Sequence, residues 1–201
     1  MPALTLPDLQ AKIKEWKGCA LHKTATQAVL GEGNPHAEIM FIGEAPGQKE
    51  DELGRPFVGA AGQFLDQLLE SIGLKRADVY ISNVVKYRPP GNRDPTPEEK
   101  EQCMPWLKQE IALIKPAVIV PLGRHALGHF FTKLSITEGH GKPQTLRSAP
   151  ASASAATAGM QGDREMTVFP IYHPAAALHN GGLRQALYDD FKALGEFLKA
   201  V

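Results

Sequence analysis

The stretch EIMFIGE, residues 38–44, decides the fold predicted for this chain. It is short and almost continuously apolar, and it leads directly into a turn rich in glycine and proline. Continuous rather than alternating apolar character predicts a β-strand covered on both faces, as in a parallel sheet. Three further runs share this character: VYISNVV at 79–85, AVIVPLG at 117–123 and TVFPIYH at 167–173.

Helical patterns alternate with these strand-like runs. GQFLDQLLESIGL, residues 62–74, has apolar residues at helical spacing and a glycine near its end. The stretch 96–116 begins with Thr96 as an N-cap, Pro97 at the first helical position and acids in the first turn. Further helical stretches are 6–18, 123–134 and 183–201. The alternation predicts an α/β fold, a three-layer α/β/α sandwich around a central four-stranded, mostly parallel sheet.

The composition is that of a soluble globular protein. At 201 residues, with 43% hydrophobic and 22% charged residues, the chain is expected to form a single domain spanning 1–201. The apolar runs are too short to cross a bilayer, and the N-terminus shows no signal peptide. The two cysteines, Cys19 and Cys103, are typical of a reducing compartment. We therefore expect a cytoplasmic monomer without a membrane partner.

One segment departs from the alternating pattern. SAPASASAATAGMQGDRE, residues 148–165, is rich in alanine, serine and glycine and has no hydrophobic period. Such composition is typical of a flexible connection. We interpret it as a flexible insertion before the last strand rather than as a domain boundary.

Unusual residues gather where each predicted strand ends. In a parallel α/β sheet, ligands bind outside the carboxyl ends of the strands. The clusters that follow the four strands are GEAPGQKEDELGRPFVGAAG at 43–62, NVVKYRPPGNRDP at 83–95, PLGRHAL at 121–127 and YHPAAALHN at 172–180. A ligand site is therefore predicted at this edge of the sheet.

The first cluster carries two glutamates and an aromatic residue. It contains neither GxGxxG nor GxxxxGK[ST], and Glu44 and Glu50 would repel a phosphate, which disfavours a nucleotide-binding protein. Phe57 lies beside a turn rather than on an apolar helix face. It is either part of the core or a flat surface on which a planar ligand stacks.

The later clusters add a polar strand residue, a histidine and a basic loop. Asn83 lies in an apolar strand, so its amide either makes a structural hydrogen bond or reads the edge of a base. His173 ends the fourth predicted strand and is either structural or part of the ligand site. Net charge is zero, so any binding to nucleic acid must come from a local patch. Lys86, Arg88 and Arg93 are either a solvated loop or a grip on a phosphate backbone.

Taken together, the four clusters closely resemble the family-four uracil-DNA glycosylases in order and approximate spacing. The resemblance extends from about Cys19 to the end of the chain, interrupted by the insertion. It implies hydrolysis of the N-glycosidic bond of uracil that is flipped out of single- or double-stranded DNA, leaving an abasic site. The alternative is a protein that binds uracil-containing or abasic DNA with little or no catalysis.

The resemblance also implies roles for individual residues. Phe57 would stack on the uracil, Asn83 would pair with its O4 and N3–H edge, and His173 would stabilise negative charge through O2. Glu50, or as a second choice Glu44, would stabilise the oxocarbenium-like sugar or position the attacking water. The residues implied to complete the pocket are Ala45, Pro46 and Asn92, and those implied to hold DNA are Lys86, Arg88, Arg93 and Arg124.

The chain departs from family four at the metal ligands. That family holds a four-iron, four-sulfur cluster on four cysteines, whereas this chain retains only Cys19 and Cys103 at the matching positions. Trp16 and Tyr87 stand where the other two ligands would be. Two thiolates cannot hold a cluster that takes four. We therefore predict that the protein binds no iron–sulfur cluster, that Trp16 and Tyr87 fill the space by aromatic packing, and that the thiols are free.

Overall fold

The computed structural model describes residues 4–147 and 165–200. Within these residues, one sheet contains six strands in the order β1-β3-β2-β4-β6-β5. The strands are β1 (Glu32–Gly33), β2 (Ile39–Gly43), β3 (Tyr80–Asn83), β4 (Val118–Pro121), β5 (Gln144–Arg147) and β6 (Glu165–Val168). Apart from its last residue, the predicted insertion at 148–165 lies outside the described residues.

The sheet confirms the predicted α/β class and corrects the number of strands. The four central strands, β3, β2, β4 and β6, pair in parallel. The first three lie within predicted apolar runs, whereas β6 overlaps the fourth run, 167–173, only at Thr167 and Val168. The two edge strands, β1 and β5, pair antiparallel with their neighbours and raise the total from four to six. Neither EG nor QTLR carries an apolar run, so these edges form only because a neighbouring strand offers unpaired backbone groups.

Helices cover both faces of the sheet. The described helices are α1 (Leu6–Glu15), α2 (Gln48–Leu53), α3 (Ala60–Ser71), α4 (Pro97–Ile114), α5 (Gly123–Leu127), α6 (Ile136–Gly139), α7 (Pro174–His179) and α8 (Gly182–Ala200). Thr96 caps α4 as predicted, since its side chain accepts a hydrogen bond from the backbone of Glu99. The helix predicted over 123–134 ends at Leu127, because Gly128 follows and Phe130 turns back into the core.

Alternating side chains of the strands define the three layers. Met40 and Ile42 pack with α1 and α4 on one face of the sheet, whereas Ile39 and Phe41 pack with α3, α7 and α8 on the other. This is the predicted α/β/α sandwich. No helix in the described part of the chain is both long and apolar enough to span a membrane.

Candidate active site

A cavity of about 410 Å³ opens at the carboxyl edge of the central strands. The ends of β2 and β3, the loop after each of them and the start of α7 contribute to its wall. The structure brings together there all eight residues predicted to be catalytic or to bind the base, namely Glu44, Ala45, Pro46, Glu50, Phe57, Asn83, Asn92 and His173. A single concave site therefore collects residues that are distant in sequence.

Asn83 is the last residue of β3 and lies at the base of the cavity. It is only 3% exposed, and its Oδ1 atom has no hydrogen-bond partner within the described residues. Gly43 pairs with it across the sheet, and a Cβ atom on Gly43 would lie 2.3 Å from Asn83 Oδ1. An unpaired buried amide costs about 1–3 kcal/mol, so this side chain is suited to a ligand that supplies a donor.

Phe57 forms one wall of the cavity in an unusual backbone conformation. Its φ angle is 51°, in the left-handed region that residues other than glycine rarely adopt. The ring is buried, and its centroid lies 5.7 Å from that of His173 with 29° between the planes. Of the two readings made from sequence, the structure places Phe57 both within the apolar core and on the wall of the cavity.

His173 lies at the first turn of a helix and not at the end of a strand. β6 ends at Val168, an isolated parallel bridge then pairs Ile171 with Leu122, and the side chain of His173 caps α7. His173 Nδ1 accepts a hydrogen bond of 3.1 Å from the backbone of Ala175, which places the imidazole proton on Nε2. Burial lowers the pKa of His173 to about 4. At neutral pH this side chain is therefore an uncharged hydrogen-bond donor.

The two candidate carboxylates have different surroundings. Glu50 Oε1 accepts hydrogen bonds of 2.8 Å from the backbone amides of both Val58 and Gly59 at the start of α3. Glu44 Oε1 lies 3.0 Å from Lys100 Nζ and 3.3 Å from His125 Nδ1. The charge of Glu44 is therefore offset by a nearby ammonium, whereas Glu50 is oriented by two neutral amides.

Comparison with known proteins shows which family the chain belongs to. The family model described as "Uracil DNA glycosylase superfamily" matches residues 30–195. The chain belongs to the uracil-DNA glycosylase superfamily.

Within this superfamily the chain is similar to curated type-4 proteins. It is 46% identical to the "Type-4 uracil-DNA glycosylase" of Sulfurisphaera tokodaii, over 96% of this chain and 84% of that protein. It is 45% identical to the protein of the same name from Archaeoglobus fulgidus, over 96% of this chain and 92% of that protein. The "Type-5 uracil-DNA glycosylase" of Thermus thermophilus is 40% identical over only 49% of this chain. The resemblance to family four is confirmed.

Lys86 does not lie on the DNA-binding surface, where the sequence analysis predicts it. It was expected to hold DNA, but it is completely buried. Its ammonium lies 2.7 Å from Glu110 Oε2 and also donates to Ser82 Oγ and to the backbone oxygen of Asn83, each at 2.9 Å. Lys86 therefore anchors the end of β3 beneath the cavity, and the prediction that it contacts DNA is wrong.

The three arginines expected to hold DNA lie near the rim of the site. Arg88 Nε donates to Asn92 Oδ1 at 2.7 Å, and Arg93 lines the cavity while it forms a two-pronged pair with Glu99. Arg124 lines a neighbouring cavity of about 360 Å³ that shares Glu44 and His173 with the first. Its side chain is 73% exposed, so its charge is accessible.

Sequence reasoning missed two residues of α7. Leu178 is 47% exposed, which is unusual for a large apolar side chain, and His179 lines the cavity. The available signal was Leu178 itself, a large apolar residue that follows His173 by five positions in YHPAAALHN. Only the structure shows that this leucine points into solvent.

The positions that correspond to cluster ligands do not fit an iron–sulfur cluster. Tyr87 donates a hydrogen bond to the backbone oxygen of Trp16, and their ring centroids lie 6.0 Å apart. Cys19 and Cys103 are fully buried, and they are the only cysteines in the sequence. A four-iron cluster takes four thiolates, so these two cysteines do not suffice to hold one.

A second group of potential metal ligands adjoins the cavity. Ligand atoms of Glu44, Asp94 and His125 lie within 4.8 Å of one another. The ammonium of Lys100 is already 3.0 Å from Glu44, and the two nitrogens of His125 face different carboxylates. We therefore interpret this group as a network of charged side chains.

Proposed function

We propose that the protein is a uracil-DNA glycosylase that hydrolyses the N-glycosidic bond of uracil flipped out of DNA. The observation that carries the proposal is the buried Asn83 Oδ1, which has no hydrogen-bond partner in the part of the chain that the structure describes. It lies in the same cavity as Phe57 and a neutral His173. The names of the type-4 relatives support the same reaction. The product would be free uracil and an abasic site.

Recognition of the base would use one aromatic surface and one amide. A base within a duplex cannot reach a cavity of this kind, so the nucleotide must first leave the stack. Phe57 would then stack on the uracil ring, and the Asn83 amide would accept from N3–H and donate to O4. Cytosine presents a bare N3 and an amino group along this edge, which is the opposite pattern. Asn83 would therefore reject cytosine.

Bond cleavage would depend on His173. As the bond breaks, the departing uracil acquires negative charge that is shared with O2. The neutral imidazole, with its proton on Nε2, would donate a hydrogen bond to this oxygen and strengthen it as charge develops. Because burial keeps His173 uncharged, the donor is available throughout the neutral range without a prior loss of a proton.

The carboxylate of Glu50 would stabilise the other half of the transition state. The sugar becomes oxocarbenium-like, as in other glycosidic cleavages. Glu50 Oε1 is held by two amides, and Gly47 leaves room for Oε2, since a Cβ atom there would lie 2.8 Å from it. Glu44 is less suited to this role because Lys100 already offsets its charge.

DNA would be held by the rim of the cavity. Arg88, Arg93 and Arg124 would contact phosphates, and the exposed Leu178 would enter the gap left by the flipped base, as apolar wedges do in other DNA-binding proteins. We propose that the protein acts as a cytoplasmic monomer without an iron–sulfur cluster. Stoichiometric iron, with broad visible absorbance, in protein purified without oxygen would contradict the last statement.

The reaction can be tested directly. The protein is incubated with single- and double-stranded oligonucleotides that contain one uracil, and abasic sites are then cleaved with alkali. Matched oligonucleotides with cytosine or thymine serve as controls, and release of free uracil is measured by chromatography. Binding of uracil-containing DNA without any strand scission, even at high protein excess, would favour the alternative of a non-catalytic binder.

A further inference from the structure

The turn that carries Phe57 is held in a conformation that its own sequence disfavours. At φ 51° the Cβ atom of an L-residue crowds the neighbouring carbonyl oxygen, so a phenylalanine adopts this conformation only where its surroundings impose it. The ring of Phe57 lies on the wall of the cavity, where the proposed function places the uracil. Whatever holds the turn therefore also sets the stacking surface.

Arg76 holds the carbonyl groups of this turn. It lies between α3 and β3, and its guanidinium donates to the backbone oxygen of Pro56 at 2.7 Å and of Phe57 at 3.0 Å. Asp66 on α3 accepts from the same guanidinium at 3.0 Å and fixes its direction. The Arg76 side chain is 21% exposed and does not line the cavity.

The amide groups of the same turn are held from the other side. Glu50 Oε1 accepts from the backbone of Val58 and Gly59, directly after Phe57. The turn is thus bracketed by a cation on its carbonyls and an anion on its amides. Gly62 completes the arrangement, since a Cβ atom there would lie 1.8 Å from the Phe57 oxygen.

We propose that Arg76 is a positioning residue that sets the uracil-stacking pose of Phe57. This inference rests on the proposed function, because it concerns the affinity of the same pocket for uracil. A guanidinium can donate to both carbonyls and to Asp66 at once through its planar fork. Without it, Phe57 relaxes towards negative φ, and its ring leaves the stacking position.

The test compares Arg76→Met and Arg76→Lys with the wild-type protein. The measurements are the KM and kcat for a uracil-containing oligonucleotide, the inhibition constant of free uracil, and the affinity for DNA with a stable abasic-site analogue. Stacking on an aromatic ring contributes to the binding free energy of a base. Its loss in Arg76→Met is therefore expected to raise KM and the inhibition constant of free uracil roughly tenfold. Arg76→Lys retains one or two of the bonds and is expected to lie in between. Affinity for abasic DNA stays within about twofold, since no base occupies the pocket.

Arg55→Met is the matched control. Arg55 lies in the loop that contains Phe57. Like Arg76 it donates two hydrogen bonds, but both go to the Glu32 carboxylate and not to the carbonyls of the turn. It is expected to leave uracil inhibition unchanged. A double-mutant cycle with Phe57→Ala separates positioning from general stability: Arg76→Met adds no further loss once the ring is absent.

Two results would overturn the inference: unchanged uracil inhibition in Arg76→Met, or a loss that adds fully to that of Phe57→Ala. If Arg76→Met does not fold, Asp66→Asn, which releases the guanidinium, is subjected to the same measurements. A wild-type protein that releases no uracil would instead contradict the proposed function. In that case calorimetric binding of free uracil to the wild type and to the Arg76 variants still decides the role of Arg76.

Discussion

Replacing Lys86 with methionine is expected to destabilise the protein without weakening its electrostatic attraction to DNA. The Lys86 ammonium is fully buried and lies 2.7 Å from the equally buried Glu110 carboxylate. Glu110 Oε1 already accepts no hydrogen bond within the described residues, so the variant leaves a buried charge without its counterion. Removing one partner of such a pair costs roughly 3–5 kcal/mol of unfolding free energy. For a chain of this length, Tm falls by roughly 6–20 °C.

The assay combines denaturation by urea with the salt dependence of DNA binding. A lysine that contacted a phosphate would reduce the slope of log Kd against log salt concentration by about 1 when removed. Lys86→Met is expected to leave this slope unchanged. Arg88→Met is the control and should do the reverse, with near wild-type stability and a smaller slope. Replacing Glu110 as well, in Lys86→Met/Glu110→Met, should recover most of the lost stability because no buried charge remains.

One combination of results would refute the reasoning. If Lys86→Met had wild-type stability and a reduced salt slope, the ammonium would be in contact with DNA and not with Glu110. Loss of stability that persists in full in the double variant would show that the shape of the lysine side chain, rather than its charge, matters.

Three further predictions concern catalysis. Burial lowers the pKa of His173 to about 4. Its imidazole nitrogen-15 chemical shifts should therefore report the neutral form from about pH 8 down to about pH 5 and change only near pH 4. A transition of these shifts near pH 6.5 would contradict this prediction. Glu50→Gln should slow single-turnover cleavage roughly a hundredfold and leave Tm nearly unchanged, because its amide oxygen still accepts from Val58 and Gly59; Glu44→Gln should slow it less. Leu178→Ala should slow cleavage of duplex substrate more than of single-stranded substrate, and equal effects on both would exclude a wedge.

Much of the fold could be predicted from sequence because its signals are local. The strands β2, β3 and β4 appear as apolar runs, since they are covered on both faces. Thr96 and Pro97 mark the start of α4 through capping chemistry that lies within one turn. The edge strands β1 and β5 lack such a signal, because their pairing depends on a neighbour that is distant in sequence.

The location of the candidate site could be predicted for the same reason. The carboxyl ends of parallel strands meet at one edge of the sheet, so the sequence predicts that Glu44, Asn83 and His173 lie together. The secondary structure around His173 was not predictable in this way. His173 caps α7 instead of ending a strand, and its protonation depends on burial.

The sequence by itself determined the family, the layered architecture and eight of the residues that line the cavity. Only the tertiary structure decided what each charged group does. In the sequence Lys86 belongs to a basic loop. In the structure it is buried, because its ammonium pairs with Glu110, which lies 24 residues later on α4 and packs beneath the same strand end. Arg76 carries no motif, yet it meets the carbonyls of Phe57 and Pro56. Periodicity reports which face of an element is apolar, whereas a charge is defined by partners that only long-range packing brings within hydrogen-bonding distance.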